Sequence, residues 1–72
     1  MRLDAEEFDR ALERELALLP PERRVLFSLR FEEEMTVGEV AAALGIPEGT
    51  AKSRLYALVH DLREKLKEYE KL

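Results

Sequence analysis

Residues 36–56 read T-V-G-E-V-A-A-A-L-G-I-P-E-G-T-A-K-S-R-L-Y, and this run limits the fold more than any other part of the chain. Thr36 and Glu39 stand at the T-x-x-E spacing of a capping box, in which each side chain takes a backbone N–H that the first turn of a helix leaves free. Val37, Val40, Ala41 and Leu44 follow at helical spacing. Gly45 can enter the left-handed conformation that ends a helix, because it has no Cβ to clash. A second helix opens at Pro47 or just after it. The run therefore predicts a helix, a tight turn and a second helix. Ala41 falls where the two helices cross, and a larger side chain there would hold them apart. Val40, Leu44, Ile46, Ala51 and Leu55 are expected to close the small core between them. The opposite face of the second helix then shows Glu48, Thr50, Lys52, Ser53 and Tyr56.

The rest of the chain reads as helix as well. Ala5, Phe8, Leu12, Leu16 and Leu19 recur at steps of three and four, which predicts a first helix over about 4–18, with Asp4 as its N-cap and Glu6 and Glu7 in its first turn. Pro20 and Pro21 stop it, and Pro21 can open the next helix, which should run to Arg30 or Phe31 with Val25, Leu26 and Leu29 as its core face. Phe27 and Phe31 lie off that face and read either as packed rings or as a patch for a partner. Residues 32–34, all Glu, form an acidic loop. Ala51, Leu55, Leu58, Leu62, Leu66 and Tyr69 give the last helix a buried stripe, expected as core rather than a dimer seam, and carry it to about Lys71. The expected fold is one all-α domain over 1–72: a four-helix helix-turn-helix, winged-helix-like but without a wing.

With 72 residues, such a domain needs nearly all its apolar side chains for packing. There is no cysteine and one histidine, His60, so disulfides, Cys sites and multi-His metal sites are excluded and no cofactor is expected. Carboxylates are plentiful but sit on charged helix faces without a His, Cys or metal constellation, so an enzyme is not expected. No apolar run reaches the roughly 20 residues that span a bilayer, and the charged start at Arg2 lacks the apolar core of a signal peptide. A cytoplasmic protein with no membrane contact is the expectation. Asn and Gln are absent and charged residues make up 39% of the chain, a thermophile pattern; a melting temperature in the ordinary mesophile range would count against it.

The net charge of −4 disfavours nucleic acid, but its distribution does not. Residues 1–34 carry six Arg and ten acids. Residues 50–67 carry Lys52, Arg54, Arg63, Lys65 and Lys67 against Asp61 and Glu64. The basic character lies on the last helix. An α-helix fits the major groove of DNA, where base edges present distinct donor and acceptor patterns. Lys and Arg can meet guanine acceptors or phosphates, and Ser and Thr can meet either.

The runs L-P-P-E-R-R-V-L-F-S-L-R (residues 19–30) and E-V-A-A-A-L-G-I-P-E-G-T-A-K-S-R-L-Y (residues 39–56) together resemble region 4 of bacterial RNA polymerase sigma factors, the extracytoplasmic-function group above all. The resemblance covers about residues 11–66, and G-I-P-E-G-T-x-K-S-R-L is its most specific stretch. It implies sequence-specific binding to the promoter −35 element in double-stranded DNA. Lys52, Ser53 and Tyr56 match positions that face bases, and Thr50 and Arg54 match positions that meet phosphate. Arg24, in the L-P-x-x-x-R motif, and Thr36 match further phosphate contacts. Read without the resemblance, Lys52 and Arg54 are solvated charges, and Tyr56 could equally cover the core. The implied protein partners are the RNA polymerase β-subunit flap, bound through an apolar surface, and an anti-sigma factor. The alternative function is a region-4-like interaction module binding the flap, an anti-sigma factor or itself. No segment reads as the region that melts the −10 element, which leaves an excised domain or a free-standing region-4-like protein. Four positions depart from the family pattern. Ala57 and Val59 stand where arginines are usual, Glu34 replaces a frequent glycine, and Ala51 replaces a usual valine.

Overall fold

Pro20 and Pro21 divide the N-terminal half of the chain into two helices, since this pair cannot continue one helix but can begin the next. A computed structural model describes the backbone of residues 5–70 and the side chains of residues 6–67, and every regular element within it is helical. α1 spans Ala5–Ala17, α2 Pro21–Phe27, α3 Val37–Leu44 and α4 Glu48–Glu70. The four helices arrive in the expected order, without a wing among the described residues. The Asp4 cap, the side chains of Ala5 and Tyr69, and Lys71 lie outside them.

α1 and α2 both pack against α4. Phe8, Leu12, Leu16 and Leu19 are half-buried as their spacing predicts, but among the described side chains of α1 the most enclosed is Ala11, which the expected face omitted. A methyl side chain lets two helix backbones approach closely, and the larger residues then flank the contact. In α2 the expected face needs a correction. Leu26 is buried, whereas Val25 is 47% exposed. The two residues lie about 100° apart around the helix, and the core takes Leu26.

The regular α2 helix ends at Phe27, short of the expected Arg30 or Phe31, and the helical run continues to Glu32. It widens into a π-helical turn over Ser28–Glu32, where the Glu33 N–H donates to the Ser28 carbonyl at 2.9 Å, five residues back. Phe27 and Leu29 pack against the core, while Phe31 stays 45% exposed with its ring 5.0 Å from that of Phe27. The turn is tied to the following loop by Met35 N–H donating to the Leu29 carbonyl (3.0 Å) and by Arg30 Nη1 donating to the Met35 carbonyl (3.2 Å). Between them Glu34 adopts φ 56°, the left-handed conformation that suits the glycine it replaces.

The helix-turn-helix forms as its caps dictate. Thr36 Oγ1 accepts from the Glu39 N–H at 3.1 Å, and Glu39 Oε1 accepts from the Thr36 N–H at 2.8 Å. Gly45, at φ 66°, reverses the chain in a Schellman arrangement: Ile46 N–H donates to the Ala41 carbonyl (3.0 Å) and Gly45 N–H to the Ala42 carbonyl (3.3 Å). Leu26, Val40, Leu55, Leu58 and Leu62 form one buried cluster that all the helices help to cover. Val40, Ala51 and Leu58 are fully enclosed, and Leu66 is buried further along the α4 stripe. Leu44 departs from expectation at 36% exposed: it is the last residue of α3, and the reversal at Gly45 leaves it on the rim of a groove instead of in the core. Arg23 on α2 pairs with Asp61 on α4 through a 2.7 Å hydrogen bond, which pins the two helices together.

Candidate nucleic-acid interface

With about 100° per residue, the stripe Ala51–Leu55–Leu58–Leu62–Leu66 fixes which way every other α4 side chain points. Ser53 lies opposite the stripe and is exposed. Lys52 and Tyr56 lie together on one flank, both exposed, with Lys52 Nζ 5.8 Å from the Tyr56 ring centroid. A contact of this kind holds an ammonium over a ring face. Tyr56 is 68% exposed and so covers little of the core, the other reading open to it. Thr50 and Arg54 lie on the other flank, Thr50 half-buried and Arg54 exposed. Lys52 and Tyr56, expected to face bases, therefore fall on one flank of α4 and Thr50 and Arg54, expected to meet phosphate, on the other, with Ser53 between the two flanks.

The remaining two residues come from other elements. Arg24 is exposed on α2. Thr36 is exposed at the start of α3, where its hydroxyl oxygen and its backbone N–H are both used in the capping box. Its hydroxyl hydrogen is left to donate, since one Ser or Thr oxygen can accept and donate together. Arg24, Lys52 and Arg54 make no ion pair among the described residues, so their charges face solvent uncancelled. Ala57 is exposed and Val59 half-buried, so neither position supplies a cation to this surface. Asp61, which would repel phosphate, is engaged by Arg23; that hydrogen bond holds its carboxyl below the usual carboxylate range.

Beside the Arg54 flank lies an apolar groove of about 540 Å³ between α2 and the helix-turn-helix, lined by Val25, Leu26, Leu44, Ile46 and Ala57, with Arg54 at its edge. The groove was missed in the sequence because Val25 and Leu44 both read as core; nothing in the spacing separates a core residue from a rim residue. The Arg23–Asp61 pair was missed for another reason: its members are 38 positions apart and have no local signature. Among the described residues no helix is long and apolar enough to cross a membrane, and no group of three or more His, Cys, Asp or Glu could hold a metal ion.

A family model described as Sigma-70, region 4 matches residues 9–58, more than half of the chain. Among curated proteins, the chain is 46% identical over 59 residues to the RNA polymerase sigma-E factor of Streptomyces coelicolor, a match covering 81% of this chain and 33% of that protein. The RNA polymerase sigma-E factor of Streptomyces avermitilis gives the same identity and coverage, and that of Streptomyces antibioticus is 44% identical over the same length. The chain thus spans about a third of the length of the curated relatives it matches. No solved structure matches it.

Proposed function

The chain belongs to the sigma-70 region 4 family, and from that premise we propose that it reads the promoter −35 element for bacterial RNA polymerase by placing α4 in the major groove. The observation that carries this reading is the separation of flanks on α4. Lys52, Ser53 and Tyr56 project into solvent, with the cation of Arg54 on the other flank, where it can meet the phosphate backbone. Lys52 donates to guanine acceptors, Ser53 to base or phosphate, and Tyr56 offers its ring to a thymine methyl group. Thr50, Arg54, Arg24 and the Thr36 hydroxyl set the register on the backbone. No catalytic step belongs to this role, and a promoter target places the protein in the cytoplasm.

The two missing arginines predict a weak grip. Binding would therefore work in a complex with polymerase, where a short tether gives an effective concentration toward the millimolar range. Fluorescence-anisotropy titration of the chain against a pool of promoter-like duplexes, at low and near-physiological salt, tests the reading. The expected result is salt-sensitive binding that prefers one duplex, weakened by Lys52→Ala. Arg54→Ala should lower the slope of log affinity against log salt by about one. Equal affinity of the parent and Lys52→Ala for the preferred duplex would remove the role given to Lys52.

The apolar groove supports a second reading, an interaction module for the polymerase flap or an anti-sigma factor. Val25 and Leu44 are the exposed apolar residues such a partner would cover. Capture of either partner that survives loss of Lys52 and Arg54 together would favour this reading. Failure of both partners to bind would exclude it.

A further inference from the structure

A lysine assigned to guanine is a flexible four-carbon stem, and nothing in the residue itself aims its charge. A Glu four residues earlier ordinarily pairs with such a lysine, and Glu48 stands at that spacing before Lys52. Here Glu48 is turned away. Its carboxylate packs against the first turn of α3, with Oε1 3.5 Å from where a Cβ on Gly38 would stand. It forms no ion pair with Lys52, whose charge is left uncancelled. The neighbour on the other side is the ring of Tyr56. Long side chains on a helix point back over the preceding turn, so a ring at 56 covers the turn that carries 52. Lys52 Nζ stands 5.8 Å from the ring centroid, within the reach at which a ring face attracts a cation. Tyr56 is too exposed, at 68%, for this ring to be explained by the core.

We infer that Tyr56 is a positioning residue for Lys52: its ring holds the ammonium on the DNA-facing flank of α4, so that Lys52 meets a guanine already aimed. This role rests on the DNA reading proposed above and adds to it a dependence of one residue on another. An ammonium carries three N–H donors. One side of it can rest over the ring while the donors on the other side reach the N7 and O6 acceptors of guanine. Holding the stem in the free protein removes part of the ordering cost that a loose lysine would meet on binding. The attraction also grows as DNA excludes water from the pair. A ring has two faces, so the one turned from Lys52 stays open to a thymine methyl group.

The test compares Tyr56→Phe with Tyr56→Leu in the full chain, with helicity checked by circular dichroism. Phenylalanine keeps a ring face, whereas leucine keeps apolar surface for a base but cannot hold a cation. Each is titrated by competition anisotropy against the preferred duplex and its single-base-pair variants, with Lys52 present and in a Lys52→Ala background. The pair that Lys52 reads is the one where Lys52→Ala loses selectivity. At that pair Tyr56→Leu should lower the preference for guanine about two- to fivefold, and Tyr56→Phe should keep it. Once Lys52 is alanine, Tyr56→Leu should change nothing further there. An equal loss with and without Lys52 would mean that Tyr56 acts on DNA alone, and would overturn the inference. A loss in Tyr56→Phe as large as in Tyr56→Leu would assign the effect to the hydroxyl, and would overturn it too. The contact itself is read without DNA. In nuclear magnetic resonance spectra of the free chain, the Lys52 ε-methylene protons should be shifted upfield by the ring in the parent and in Tyr56→Phe, but not in Tyr56→Leu. No such shift in the parent would overturn the positioning role and leave −35 recognition standing. A parent that shows the shift but binds no duplex at low salt would instead remove the DNA reading, and Tyr56 would have no reader to position.

Discussion

The helix-turn-helix and the segment just before it are built by opposite means. In α3 and its turn, local chemistry and tertiary position agree. The capping box starts the helix, Gly45 ends it, and Val40 and Ala41 face inward at the spacing a helix dictates. In residues 28–35 they conflict. The helix is forced into a π turn, a non-glycine residue sits at φ 56°, and Phe31 is left partly in solvent. What holds that segment is its ties to the surroundings: the packed Phe27 and Leu29, and the two hydrogen bonds onto Met35. The contrast shows where the fold is specified locally and where it depends on neighbours. Consistency between levels marks the part that presents α4 to a partner.

The hardest blow to this comparison is Leu58→Ala, because Leu58 lies fully enclosed in the cluster that both regions share. Truncating a buried Leu costs about 2–5 kcal/mol, and a core of this size supplies roughly 3–5 kcal/mol in all. The variant should be largely unfolded at 25 °C by circular dichroism, with both regions lost in one transition. Persistence of a distinct helical unit after the main transition would show that the helix-turn-helix does not need the shared core.

Two substitutions of smaller effect should act in opposite directions on the two regions. Thr36→Ala removes one half of the capping box and should destabilise by about 1 kcal/mol, lowering the urea midpoint. Glu34→Gly relieves the left-handed strain, worth about 1–2 kcal/mol, against a glycine's extra chain entropy of about 0.5–1 kcal/mol. A net gain of up to about 1.5 kcal/mol should raise the midpoint. A loss at Glu34→Gly would mean that the side chain itself, and not the backbone conformation, holds the loop.

The same division explains what the sequence made legible. The four helices, both caps of α3, the Pro20–Pro21 break and the buried α4 stripe were all visible, because each is a short-range pattern with a direct physical cause. The strain at Glu34 was visible too, through the glycine that the resemblance led one to expect there. The π turn was not, since it arises when Phe27 and Leu29 must both reach the core from one short helix. Val25 and Leu44 were misplaced because hydrophobicity marks a residue as buriable without saying whether a neighbour covers it. At the candidate site, the seven expected DNA-facing residues could be named from the motif. The exposure of Tyr56 and the contact of its ring with Lys52 needed coordinates.

The smallest expected effect concerns the Arg23–Asp61 ion pair between α2 and α4. Arg23 holds the Asp61 carboxyl below its usual pKa, chiefly through their hydrogen bond. A carboxyl depressed in the folded state stabilises the fold above the unfolded value, 3.8 by reference, and loses that contribution as the pH falls through the lower folded value. Both side chains remain partly in solvent, so the gain at neutral pH is small and further reduced by salt. Asp61→Asn should therefore be slightly less stable than the parent at pH 7, with urea midpoints converging below about pH 4 as the parent's carboxyl protonates. A difference that persists unchanged into acid would mean that Asp61 acts through shape or packing instead of charge.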